Sequence, residues 1–156
     1  MNIFYVDRNP ETCATNLGNK HVIKMTLETA QLLCGIFPNG EAPYRRTHYN
    51  HPCAVWLRQS KAQYDWLVKH GLALADEYTV RYGKEHKSKS VILWCKEKIE
   101  TYNNWPSLFS FDDPPLCMPD DCKVGDAVLS YREYYKKHKT NLHNWKVRGE
   151  PEWLLK

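Results

Sequence analysis

Lys20-His21-Val22-Ile23-Lys24-Met25-Thr26-Leu27-Glu28-Thr29-Ala30-Gln31-Leu32-Leu33 decides the fold. The run holds neither Gly nor Pro, and it predicts a helix over residues 19–35, with Asn19 as its cap and Gly35 just past its end. At 100° per residue His21, Lys24, Glu28 and Gln31 fall within about 80° of arc. Val22, Ile23, Met25, Leu27, Ala30 and Leu33 lie on the other faces. The helix is therefore apolar around much of its circumference, with one narrow polar stripe. A cation, an imidazole and a carboxylate at spacings of three and four can carry acid–base chemistry, which makes Glu28, Lys24 and His21 candidates. The same residues also make an ordinary solvated face with a Lys24–Glu28 pair one turn apart.

Outward from this helix the pattern stays helical. Residues 1–7 alternate apolar and polar positions and allow a short strand, and residues 11–18 read as a loop or short helix. Asn50-His51-Pro52 opens a second helix, with Pro52 suited to its first turn; it runs to about His70 and on to Tyr82, with Gly71 a break. Ser88 or Ser90 caps a third helix to about Asn103, and a fourth spans about Asp126 to Lys139. Pro-rich loops separate them, and residues 140–156 form an irregular tail packed on the rest. The expected fold is mainly α: a compact single-domain helical bundle over 1–156 with long loops and at most a short N-terminal strand.

The chain has 156 residues with 42% apolar and 26% charged, which excludes a wholly disordered polypeptide. No apolar run approaches the roughly 20 residues of a membrane span. The start, Met1-Asn2-Ile3-Phe4-Tyr5-Val6-Asp7, lacks the marks of a secretory leader, so a cytoplasmic setting is expected. Six Cys, at 13, 34, 53, 95, 117 and 122, form no Cys-x-x-Cys pair and match no common zinc spacing. They are read as reduced thiols, with neither a metal nor a cofactor expected. Tyr and Trp number 10 and 6 against 4 Phe, and the formal charge is +4. That balance suits either a small core with wet polar tips or stacking on bases beside phosphates.

Two further segments concentrate polar chemistry. In Tyr44-Arg45-Arg46-Thr47-His48-Tyr49-Asn50-His51-Pro52-Cys53-Ala54-Val55-Trp56, two Arg, two His, Thr47 and Asn50 precede a helix N-terminus, a natural anion site. In Tyr78-Thr79-Val80-Arg81-Tyr82-Gly83-Lys84-Glu85-His86, aromatics alternate with basic groups. Arg45, Arg46, Thr47, His48, Asn50, His51, Arg81, Lys84 and His86 are thus candidates for phosphate or nucleic-acid contact. Tyr44, Tyr49, Trp56 and Tyr82 are candidates for base stacking. Capping by Asn50, loop-tying by His48 and His51, and the usual cations of a helix C-terminus explain the same residues without a ligand.

Taken together, Met-x-Ile-aromatic at the start, Lys20-His21-Val22-x-Lys24-Met25-x-x-Glu28-Thr29-Ala30-Gln31, Thr47-His48-x-Asn50-His51-Pro52-x-x-x-Trp56 and Glu77-Tyr78-Thr79-x-Arg81-Tyr82-Gly83-Lys84-x-His86 resemble a group of small proteins common in phage genomes. That group is in turn similar to the pyrimidine-dimer DNA glycosylases of the phage endonuclease V type, over about the first half of the chain. The resemblance implies a metal-free glycosylase and AP lyase acting on DNA; a monomer is expected, in the cytoplasm of an infected bacterium if the chain is phage-encoded. It implies that an N-terminal α-amine attacks C1′ of the damaged nucleotide and that the helix Glu assists ring opening, which assigns Met1 and Glu28. An α-amine ordinarily titrates near 7.7–8.0 and a Lys near 10.4, so the former is the readier nucleophile. Asn2 departs from the small second residue of that family, which leaves Met1 as the amine's bearer or Lys24 as an alternative nucleophile. Other classes remain open at this stage: a non-catalytic nucleic-acid or nucleotide-binding protein, or a hydrolase or transferase using His48 or His51.

Overall fold

The computed structural model describes residues 1–155 and contains six α-helices: α1 (Pro10–Thr15), α2 (Asn19–Cys34), α3 (Pro52–Leu57), α4 (Lys61–Tyr82), α5 (Lys89–Lys98) and α6 (Ala127–His138). Single 3-10 turns follow at Ile99–Thr101, Asp120–Cys122, Thr140–Leu142 and Glu152–Leu155. The mainly α expectation holds. None of the described residues forms a strand, and the nearest approach is an isolated bridge between Ser60 and Ser107.

The N-terminal segment, where the alternation allows at most a short strand, forms none. The Asn2 side-chain oxygen takes the Ile3 and Phe4 amides at 2.7 and 3.2 Å, and Phe4 stands at φ +56°, which interrupts an extended run. Ile3, Phe4, Tyr5 and Val6 are nonetheless all buried, so the segment is held by side-chain packing rather than by a ladder.

The two long helices α2 and α4 lie antiparallel. Tyr64 near the start of α4 donates to Leu33 O at the end of α2, while Arg81 at the end of α4 reaches Asn19 at the start of α2. Each helix serves two cores. One gathers Ala30, Leu32 and Leu33 of α2, Tyr64, Leu67 and Val68 of α4, and α3 and α5. The other gathers Val22 and Met25, Leu74, the buried N-terminal segment, α1 and α6.

Gly71 does not break a helix. It is buried inside continuous α4, where a Cβ would lie 2.8 Å from Thr29 Cγ2 and 3.1 Å from Ile92 Cδ1, so it marks where α2 and α5 press against α4. The break falls earlier. α3 is one short segment, and Ser60 starts α4 by accepting from Ala62 N at 3.1 Å, a cap signal that the longer helix reading passed over.

Other boundaries shift for similar reasons. Gly18, not Asn19, stands at the N-cap of α2, because the Asn19 side chain is engaged by Arg81 Nη1 at 3.2 Å and Lys146 N at 2.9 Å. Ser88 sits at the start of α5 with its hydroxyl bonded to Tyr44 rather than to the helix. Asp126, about where the fourth helix was expected to begin, caps α6 by accepting from Leu129 N at 2.9 Å. Trp145 of the C-terminal segment is buried and donates to Asn16 O at 3.0 Å. No helix among the described residues is long and apolar enough to cross a membrane.

Candidate active site

Glu28 lies in the third turn of α2, where that helix passes the beginning of the chain. Its Oε1 stands 3.4 Å from the Met1 α-amine, with the two side chains only 12% and 2% exposed. The Met1 side chain packs against the core of α2, α3 and α5, and this anchors the amine over the carboxylate. Asn2 fixes the next link: its side-chain N–H donates to Cys117 O at 2.9 Å while its oxygen holds the two following amides. The bulky second residue is thus a brace for the chain start.

Lys24 Nζ reaches Glu28 Oε2 at 3.7 Å from a side chain 69% exposed, so the burial that would favour Lys24 as a nucleophile is absent. His21, on the same stripe two turns earlier, is separated from this chemistry. It is buried, bonded through Nδ1 to Tyr135 Oη at 2.7 Å and set 4.2 Å from the Phe4 ring. Burial, and then the charges of Lys139 and Lys24, push its imidazole down to about 3. The stripe read from the helical wheel is thereby divided: α6 covers its N-terminal end, and its C-terminal end opens to a cleft.

That cleft, about 320 Å³, is lined by Gln31, Pro43, Tyr44, Arg45 and Thr47. Gln31 lies one turn beyond Glu28 on the same face. Arg45 is exposed beside it. His51 caps α3, its Nδ1 accepting from Cys53 N at 3.1 Å. Burial, the Met1 amine and His48 hold His51 below its ordinary value, against an opposing pull from Glu28. His48 stands at φ +51° with its Nδ1 2.8 Å from Thr47 Oγ1, and Asn50 is exposed in the same turn. A roomier cavity of about 650 Å³ is lined by Arg132, Glu133 and Trp153 among others and includes none of these groups.

The remaining expected residues divide sharply. Tyr49 is exposed and carries the Arg46 and Arg58 guanidinium groups 4.2 and 3.7 Å from its ring centre. Arg46 is also committed to the end of α2, donating to Gly35 O and Phe37 O at 2.9 Å each. Tyr44 bonds to Ser88. Trp56 is buried with its indole N–H on Asp112 O at 2.8 Å, a packing role. Arg81 is wholly buried against Glu77 and offers no surface to a phosphate. His86 is tied to Ile23 O and Ser88 N at 3.0 Å each. Lys84 is exposed, and Tyr82 lies under the Lys146 ammonium, 4.8 Å from its ring centre.

Sequence reasoning missed the bracing contacts of Asn2, the role of Arg58 and the convergence of Cys53 with Cys117. Arg58 follows α3 directly and holds Tyr49 O at 2.8 Å; its signal was a basic residue ending a helix that the sequence appeared to continue.

The sequence pattern of the family described as pyrimidine dimer DNA glycosylase matches residues 1–90, more than half of the chain. The chain belongs to this family. The match runs from the Met1 amine through Glu28, His51 and α4 to the start of α5. As a member of the pyrimidine dimer DNA glycosylase family the protein is of DNA-acting type. The segment after residue 90, with α6 and the loop carrying Cys117, lies beyond the match. No curated protein and no solved structure matches the chain.

Proposed function

We propose that the protein is a bifunctional DNA glycosylase and AP lyase that excises a damaged or modified pyrimidine through a Schiff base on the Met1 α-amine, assisted by Glu28. The 3.4 Å approach of the Met1 amine to a mostly buried Glu28 carboxylate carries this reading. The neutral amine attacks C1′ as the glycosidic bond breaks, and the base leaves with the bonding electrons and gains a proton. Glu28, within reach of the new ammonium, accepts its proton and passes it to O4′, opening the sugar to an imine. Glu28, a carboxylate again once O4′ is protonated, takes a C2′ proton as the C3′–O bond breaks and the 3′ phosphate leaves. A carboxylate held against C1′ also stabilises oxocarbenium character as it develops. The target must leave the base stack to bring C1′ to an amine at this depth. Arg45 beside the cleft, and Arg58 with Tyr49 on the neighbouring turn, supply the cationic and stacking surface for the strand.

Borohydride trapping on duplexes with a pyrimidine dimer, an abasic site or a modified pyrimidine tests the mechanism. A covalent adduct is expected, with Glu28→Gln slowing its formation by about 10²–10⁴-fold, the usual worth of a positioned acid–base group. Acetylating the α-amine abolishes the adduct, and Lys24→Ala retains it. An adduct that survives acetylation but disappears in Lys24→Ala transfers the nucleophile to Lys24, and no adduct with any substrate removes the Schiff base altogether.

A further inference from the structure

Beside the proposed catalytic pair, three potential metal ligands converge from separate stretches of chain. His51 caps α3, Cys53 lies in its first turn, and Cys117 comes from the loop before α6; their ligand atoms all lie within 4.8 Å of one another. The two sulfurs are 3.9 Å apart, far longer than a disulfide bond. A tetrahedron with zinc–sulfur bonds of about 2.3 Å has an edge of roughly 3.8 Å, so this pair already spans one such edge. His51 Nδ1 accepts the Cys53 amide at 3.1 Å and therefore presents a lone pair toward Cys53 rather than a proton. Cys53 is fully buried while His51 and Cys117 are half-buried, which leaves an approach from solvent.

We propose that His51, Cys53 and Cys117 form a binding site for one thiophilic divalent cation of the zinc class, with an open fourth position. Binding converts both thiols to thiolates with release of two protons, and the metal takes over the His51 lone pair from the amide. The site would join α3 to the loop whose Cys117 carbonyl holds Asn2, and so would stiffen the support of the Met1 amine. Cys117 lies outside residues 1–90, so the full ligand set is a feature of this chain and not of the stretch shared with the family.

Other thiols in the molecule lack this arrangement. Cys34 and Cys95 approach to 3.7 Å, yet among the described residues no His or carboxylate completes a group of three around them. Asp121, Cys122 and His138 do form a second triple, but its Asp121 and His138 are exposed and already paired at 3.1 Å, and it offers only one sulfur.

Titrating the full chain with Co²⁺ under a non-thiol reductant, and then with Zn²⁺, tests the assignment. One equivalent of Co²⁺ should produce a thiolate-to-metal charge-transfer band and the visible bands of tetrahedral coordination, both bleached by Zn²⁺. Cys117→Ser should weaken binding by more than about 100-fold, since outer-sphere partners alone are worth 10–100-fold. His51→Ala should weaken it while keeping the charge-transfer band at high Co²⁺, and Cys34→Ser and Cys122→Ser should leave it unchanged. Zinc should raise the thermal midpoint of the wild type but not of Cys117→Ser. No charge-transfer band in the wild type, or one that persists in Cys117→Ser and is lost in Cys34→Ser or Cys122→Ser, overturns the proposal. These readouts do not involve DNA, so they are independent of the glycosylase reading.

Discussion

Replacing Arg81 with Ala distinguishes a structural guanidinium from a DNA-binding one. The side chain is 0% exposed. Its Nε donates to Glu77 Oε1 at 3.0 Å, Nη1 to Leu17 O at 2.7 Å and to Asn19 Oδ1 at 3.2 Å, and Nη2 to Thr15 O at 2.9 Å. Truncation leaves the buried Leu17 carbonyl and the part-buried Thr15 carbonyl without this donor, at about 1–3 kcal/mol each. Glu77 is not stranded, because Arg148 keeps two bonds to it at 2.8 and 3.0 Å, and Asn19 Oδ1 keeps Lys146 N. The expected loss is therefore about 3–5 kcal/mol, near that for breaking a buried ion pair. With a urea slope of about 2 kcal/mol/M, the unfolding midpoint should fall by roughly 2 M at unchanged slope. A phosphate-contacting Arg would behave in the opposite way: its loss would cost little stability and reduce the salt dependence of DNA affinity by about one unit of slope. A midpoint shift below about 0.5 M together with a reduced salt slope would refute the reasoning.

Three other perturbations follow from the same geometry. Arg45→Ala, at an exposed position on the cleft, should leave the melting curve in place and weaken DNA binding with a salt slope smaller by about 0.9; an unchanged slope would remove Arg45 from the interface. Burial pushes His21 to about 3 and His70 to about 4, both below the ordinary 6.5. The unfolded chain therefore binds protons first, and stability present above about pH 6.5 is lost as the pH falls toward those values. Each His should contribute a loss of about 2.5 kcal/mol between about pH 7 and 4.5, so urea midpoints of His21→Asn should fall less steeply over that range than those of the wild type. Gly18→Ala would place a Cβ 2.2 Å from Leu142 O, a backbone atom, so residues 140–145 must shift. A loss of about 1–3 kcal/mol is expected, with increased quenching of Trp145 fluorescence; an unchanged melt would contradict that contact.

The fold was legible wherever a local signal sufficed. Helical periodicity marked α2, and the Gly83 end of α4 was readable because a left-handed helix end, here at φ +70°, favours glycine. The break between α3 and α4 was harder, since apolar spacing continues across it and only Ser60 reports it. Gly71 carried the opposite lesson: the residue type that locally suggests a break is required by the crossing of three helices.

The proposed site was partly legible for the same reason. The helical wheel singled out Glu28, but it placed His21 beside it, because a wheel records angle and not what covers each turn. Arg81 and Trp56 belong to residue types that serve phosphate and base binding equally well as internal hydrogen bonding, and burial separates the two uses. The sequence by itself determined a mainly helical chain, its polar stripe and its aromatic and basic segments, all of which depend on residues a few positions apart. Only the tertiary structure decided that Met1 meets Glu28, that Cys117 supports Asn2 and approaches Cys53, and that Arg81 faces inward. Those contacts join residues 27 to 115 positions apart, or depend on which surfaces other helices cover, and local propensity carries no information about either.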